Sequence, residues 1–460
     1  MLNHKFFWLL CLSLWLTACA HTQETTLANG LRIIVKEDHR SPVVVSQIWY
    51  RVGSQDEPEG ITGISHALEH MMFKGTAKHG PNEFSRIIAE NGGRENAFTS
   101  YDYTSYFQQL EKSRLPISFE LEADRMLNLN LADEEFRKEI KVVMEERRLR
   151  TEDQPEAIVQ EKFMATAYRV HPYRHPVIGW MKDLQSMTSK ELRDWYKRWY
   201  TPANAILVVA GDVDPKEVIA QAEKYFGPVP SRPVTRPKAI VEPESKGEQR
   251  VRVAVPAEVP YLLMGYHVPV HTSVAAGSEV AEWEPYALSV LTGILDGGQA
   301  ARFERELVRD KKLASSIGID YDAVARSPGI LTIEATPASG HSTAELEQAI
   351  RLQIERIKKE PVTTEELKRV KAQVVASNVF GRDSVFYQAM QLGRLAAVGL
   401  DWRMLDSYAD KLNAVTAEQV QAVARKYLVD RQLTVAVLDP QPMDKDHRRM
   451  SRHQGGGDVR

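Results

Sequence analysis

The sequence predicts an α+β protein built as two related halves, and three observations carry that reading. A chain of 460 residues is longer than one hydrophobic core usually sustains, so at least two domains are expected. Pro228, Pro230, Pro233, Pro237 and Pro243 stand among charged and small residues, marking a semi-rigid linker over 228–247. The segments on either side of that linker end alike. "MTSKELRDWYKRWYTPANAILVVAGDVDP" and "VTAEQVQAVARKYLVDRQLTVAVLDP" each run from a Thr-capped helix through an aromatic residue and a polar turn to a hydrophobic strand and Asp-Pro. Their capping boxes correspond, Thr188 with Glu191 and Thr416 with Gln419. The halves are expected over 20–227 and 248–440, followed by a polar, disordered tail over 441–460.

Composition supports a globular chain. Hydrophobic residues at 43% and charged residues at 26% supply ample core material and exclude a disordered, fibrous or membrane-bundle protein. The net charge of -3 selects no partner, and the lack of a basic stripe argues against nucleic acid.

The N-terminus, "MLNHKFFWLLCLSLWLTACAHTQ", reads as a secretory signal, with Lys5 ahead of an apolar run from Phe6 to Leu16 and small residues at its end. That run is shorter than the roughly 20 residues that span a bilayer. Leu16-Thr17-Ala18-Cys19 resembles the bacterial lipobox, which places the signal peptide over 1–19 and makes Cys19 a lipidation site. Ala18-Cys19-Ala20 also fits the cleavage pattern of ordinary secretion, and the sequence leaves both open. Either route leads to the periplasm, the first with a lipid tether to a bacterial membrane, the outer one in preference. Only Cys11 and Cys19 occur, so no disulfide framework supports the mature chain.

Further along, "TLANGLRIIVKED" reads as two strands around an Asn29-Gly30 turn and "VVVSQIWYRVGS" as another strand. A helix over the "GISHALEHMMFKGT" stretch and an amphipathic helix from Pro81 to about Asn91 follow. After the Gly92-Gly93 break, "NAFTSYDYTSYFQQL" reads as an extended stretch, and helical periodicity dominates from Leu115 to about Thr151. In the second half, "YLLMGYHVP" and "GILTIEATP" read as strands between long helices.

His66 and His70, four apart on a helix, turn two imidazoles to one face, and Glu69 borders that face. A catalytic zinc needs a third protein ligand and one open position. Glu139 and Glu146, seven apart and separated by Val142 and Val143, share a face of the helix "DEEFRKEIKVVMEERRLR" and can supply it. Read alone, those carboxylates equally fit a solvated charge run. His171 and His175 also lie four apart, but Pro172 and Pro176 break any helix between them, so they read as loop residues. His79, beside Gly80-Pro81, reads as part of a turn.

The arrangement His66-x-x-Glu69-His70 followed by Glu146 resembles the inverted zinc motif of the pitrilysin and insulinase family, which includes the mitochondrial processing peptidases. The likeness extends to "KGT" after the motif, to "NAFT" at Asn96, Ala97, Phe98 and Thr99, and to "HPY" at His171 to Tyr173. It implies that His66, His70 and Glu146 bind Zn2+, that Glu69 is the catalytic base, and that Glu139 supports the site from behind. It further implies two largely antiparallel sheets with packed helices, closing as a clamshell on a peptide substrate that adds as a strand to the edge at Asn96 to Thr99. Two imidazoles and one carboxylate leave zinc a free position for a water whose pKa falls towards neutrality.

The second half departs from the resemblance. Active single-chain relatives often carry an arginine and a tyrosine seven apart that hold the substrate carbonyl. Here the segment "AARFERELVRDKKLASS" puts Val308 and Ser315 at those positions, with Arg309 adjacent and Tyr321 distant. The expectation is therefore a zinc metalloendopeptidase acting as the catalytic subunit of a heterodimer, whose sister subunit supplies the missing clamp. A non-catalytic scaffold subunit on the same fold and a zinc hydrolase of non-peptide substrates are the alternatives.

Overall fold

The computed structural model describes residues 22–275 and 277–442. The segment expected to be a signal peptide, with Cys19, and all but the first two residues of the expected tail lie outside the described residues. The first half comprises β1 (Thr22–Thr26), β2 (Arg32–Glu37), β3 (Val43–Tyr50), α1 (Ile64–Met71), α2 (Glu83–Glu90), β4 (Arg94–Thr99), β5 (Thr104–Glu111), α3 (Leu115–Asn128), α4 (Asp133–Arg147), α5 (Pro155–Ala167), α6 (Met181–Ser186), α7 (Ser189–Trp199), β6 (Ala205–Gly211) and α8 (Pro215–Phe226). The second comprises β7 (Gln249–Pro256), β8 (Tyr261–Val268), α9 (Glu284–Leu295), β9 (Ala314–Asp320), β10 (Gly329–Pro337), α10 (Thr343–Lys359), α11 (Thr364–Gly381), α12 (Val385–Val398), α13 (Met404–Asn413), α14 (Ala417–Tyr427) and β11 (Leu433–Gln441).

Sheet order shows the duplication directly. The first sheet runs β1-β2-β6-β3-β5-β4 and the second β7-β11-β8-β10-β9. With β1 set aside, the two follow one scheme: the last strand of each half inserts between its first two, parallel to the first and antiparallel to the second. The Thr188 and Thr416 boxes both form, so the helix before each inserted strand starts the same way.

Each half lends a helix to the other. Val159, Phe163 and Ala167 of α5 pack on Val253, Leu263, Ala436 and Leu438 of the second sheet. Reciprocally, Ala389, Leu392 and Ala396 of α12 pack on Ile34, Val45, Trp49 and Val208 of the first. A glycine permits each approach. A Cβ on Gly265 would stand 2.4 Å from the Phe163 ring, and one on Gly393 would stand 2.2 Å from the Trp49 ring. Each fully buried large apolar side chain contributes about 1.5–3 kcal/mol, so the exchanged helices bind the halves together. A polar clasp adds to this. The Arg326 amide donates to Asp102 Oδ2 (3.0 Å), its guanidinium to Asp56 Oδ1 (2.9 Å), and Tyr173 Oη to Asp102 Oδ1 (2.7 Å).

The structure refines two of the expectations. The extended stretch "NAFTSYDYTSYFQQL" folds back on itself as a hairpin, β4 paired with β5. The reversal comes from Ser100, whose Oγ accepts from the amides of Asp102 (3.1 Å) and Tyr103 (3.3 Å). The helical stretch from Leu115 to Thr151 is two helices. Leu129 leaves the helical region to bridge Thr76, and after Arg147 the chain widens into a π-helical turn over 148–152.

Candidate active site

Helix α1 begins at Gly63, whose φ of 85° suits glycine, and a Cβ there would lie 2.4 Å from the Ile178 carbonyl. With no side chain at that position, the helix amides are capped from a distance. Glu57 accepts from the amides of Gly63 (2.6 Å) and Ser65 (2.8 Å). Burial pushes the Glu57 carboxyl up to about 8, against the pull of those amides. A folded value above the free value of 4.5 means that its contribution to stability is complete below that pH and is lost as pH rises through about 8. Thermal unfolding of Glu57→Gln is accordingly expected to depend less on pH across that window than unfolding of the unsubstituted chain.

From this anchored helix, His66 and His70 meet Glu146 of α4. One ligand atom from each lies within 4.8 Å of the others, the one such His/Cys/Asp/Glu group among the described residues. His70 Nε2 is 3.2 Å from Glu146 Oε2, and His66 Nε2 is 3.8 Å from Glu146 Oε1. Ligands about 2.1 Å from a tetrahedral zinc stand about 3.4 Å apart, close to the two distances to Glu146, and the set as a whole, within 4.8 Å, fits such an ion once the ligands draw in. Electrostatics agree. Burial and the neighbouring His70 charge lower His66 to about 4, keeping it in the neutral form that ligates metals. Burial also disfavours charge on His70, but hydrogen bonds with Glu139 and Glu146 prevail and raise it to about 9. His70 Nε2 and the Glu146 carboxylate thus face each other across a space that favours positive charge. Arg150, one turn after Glu146, adds a second positive charge at 2.5 Å from Glu146 Oε1.

Glu139 stands behind the ligands, at 3.0 Å from His70 Nδ1, which leaves Nε2 facing Glu146. Its other oxygen meets Lys74 Nζ at 2.7 Å, giving a physical role to the lysine of "KGT". Glu139→Gln is expected to lower zinc affinity about 10- to 100-fold, measured by competition with a chromogenic chelator.

Glu69 lies beside the ligands without joining the set. Burial raises its carboxyl above the ordinary range, and the Thr99 hydroxyl partly counters this. Ala97, Phe98 and Thr99 line a cleft of about 730 Å³ together with His66, Glu69 and Glu146. Asp322, Val324 and Ile330 wall it from the second half. Asn96 is exposed on β4, the outer strand of its sheet, and its Oδ1 accepts from the Ala97 amide. His171 and His175 flank a short turn outside any α-helix and are buried.

Residues 32–179 match the family described as "Insulinase (Peptidase family M16)", and residues 186–374 match "Peptidase M16 inactive domain". The chain is 31% identical over 428 residues to the zinc protease PqqE of Helicobacter pylori, covering 91% of this chain and 93% of that one. The chain belongs to the M16 peptidase family. A crystal structure of a protease from Helicobacter pylori shares its fold with a TM-score of 0.86 at 30% identity, over 92% of this chain and 100% of that one. A probable mitochondrial-processing peptidase subunit beta of Arabidopsis thaliana is 26% identical, over 91% of this chain and 78% of that one.

Within this M16 chain the second-half substitutes point elsewhere. Val308 packs on the second core. Arg309 donates to the Gln299 carbonyl (2.5 Å), Ser315 Oγ to the Thr336 carbonyl (3.2 Å) and Tyr321 Oη to the Pro269 carbonyl (2.6 Å). None of the four is among the residues lining the cleft. Sequence reasoning passed over Lys74 and Arg150. The i,i+4 spacings from His70 to Lys74 and from Glu146 to Arg150 were the available signals.

Proposed function

We propose that this M16 family member is an exported zinc metalloendopeptidase that cleaves flexible or unfolded peptides. The observation that carries the reading is the convergence of His66, His70 and Glu146 beside Glu69, in a cleft bordered by the outer strand β4. When bound by those three residues, zinc supplies a Lewis acid and brings water towards a neutral pKa. Glu69 would take a proton from the water whose oxygen joins the peptide carbonyl carbon, and would give it to the amine nitrogen that leaves as the C–N bond breaks. Glu139 and Lys74 keep the His70 ring turned, and β4 holds an extended peptide by backbone pairing, which selects substrates able to expose their amides. The intact ligand set argues against a scaffold role.

The export segment supports a periplasmic place for the chain, with Cys19 as a lipid tether to the membrane, the outer one in preference. A sister subunit supplies the arginine and tyrosine clamp, a reading supported by Val308 and Ser315 at those positions. The test is chelator-sensitive cleavage of an unstructured peptide by the chain alone and with its sister subunit. Cleavage by the pair alone is expected. Full activity of the isolated chain removes the partner from the account, and zinc binding without cleavage by either assembly favours the scaffold.

A further inference from the structure

Strand β4 carries a second role beside its exposed edge. Side chains alternate along a strand. Phe98 packs against Trp49 and Tyr103 on one face, whereas Ala97 and Thr99 turn to the other. There Thr99 Oγ1 donates to Glu69 Oε2 at 2.5 Å, the one side-chain hydrogen bond to that carboxylate among the described residues. Thr99 Oγ1 also lies in donating reach of Thr104 Oγ1 at 3.4 Å, and Thr104 gives its own hydrogen to the Val52 carbonyl at 3.0 Å. Of the two acceptors open to Thr99, the Glu69 carboxylate is far the nearer and the stronger, so the Thr99 hydrogen goes to Glu69. One oxygen of the base is tied down and the other is left to accept a proton from the cleft.

We infer that Thr99 is the positioning residue for the base Glu69, linking it through one side chain to the strand on which the peptide docks. This rests on the peptidase reading and extends it. The Thr99 backbone stays available for pairing with substrate, while its hydroxyl fixes a glutamate that otherwise turns about several side-chain bonds. Misplacing a catalytic group by about 1 Å costs up to about 100-fold in rate.

The test compares Thr99→Val, which removes the hydroxyl at nearly constant shape, with Thr99→Ser, which keeps it, in the full chain together with its sister subunit. Readouts are kcat and KM on an unstructured peptide, bound zinc, and the Glu69 side chain in crystals of each form. For Thr99→Val the expected result is a fall in kcat of about 10- to 100-fold, KM within about twofold, unchanged zinc, and Glu69 spread over more than one rotamer. Thr99→Ser is expected to recover kcat to within a few-fold and to hold Glu69 in its single position. The inference is overturned if Thr99→Val keeps its kcat, if its loss follows zinc or KM, if serine fails to rescue, or if Glu69 stays in place without the hydroxyl. Should the unsubstituted protein cleave no peptide, the peptidase reading fails, and the Glu69 position in the two crystal forms still decides the role of Thr99.

Discussion

Replacing Glu69 by glutamine is expected to lower kcat about 10²- to 10⁴-fold, the range for loss of a general acid–base group, with zinc still bound. Glu69 is outside the ligand set, so the change leaves His66, His70 and Glu146 intact. An amide of the same shape still accepts from the Thr99 hydroxyl, which keeps the side chain where it lies. It has no basic oxygen, so the proton has nowhere to go at neutral pH. Steady-state kinetics with metal analysis on the same sample check this. KM is expected to change little, since Glu69 makes no hydrogen bond to β4 other than that from Thr99.

Replacing Glu146 by glutamine is expected to remove zinc itself. The two imidazoles are neutral as ligands, so Glu146 supplies the only negative charge in the set, and an amide oxygen is a weaker ligand. Affinity should fall by more than the roughly 100-fold upper range for loss of an outer hydrogen-bond partner such as Glu139. Activity should fall with it and return partly at high zinc concentration. A chelator-competition titration separates this from Glu69→Gln, which spares affinity and lowers kcat.

The helical half of the site was legible in the sequence because period alone places it. Spacings of four and seven put His66 with His70, and Glu139 with Glu146, on single helix faces, whatever the tertiary structure. The contacts that tune those residues depend on how separate elements cross. Nothing in "NAFT" says that alternation turns Thr99 towards α1 and Phe98 towards Trp49. The β4–β5 hairpin escaped notice because its "SYDY" reversal lacks glycine and rests on the Ser100 side chain. The exchange of α5 and α12 was equally hidden, since an apolar helix face does not name the sheet it will cover. Gly265 and Gly393 mark those crossings only once the rings of Phe163 and Trp49 are seen above them.

The most direct test of the central claim is a zinc-edge anomalous diffraction map of the protein crystallised with zinc. The account predicts a peak about 2.0–2.2 Å from Nε2 of His66, Nε2 of His70 and a Glu146 carboxylate oxygen, with Glu69 close by but outside bonding distance. A Glu146 carboxylate that stays on Arg150 while zinc binds elsewhere, or not at all, would contradict it.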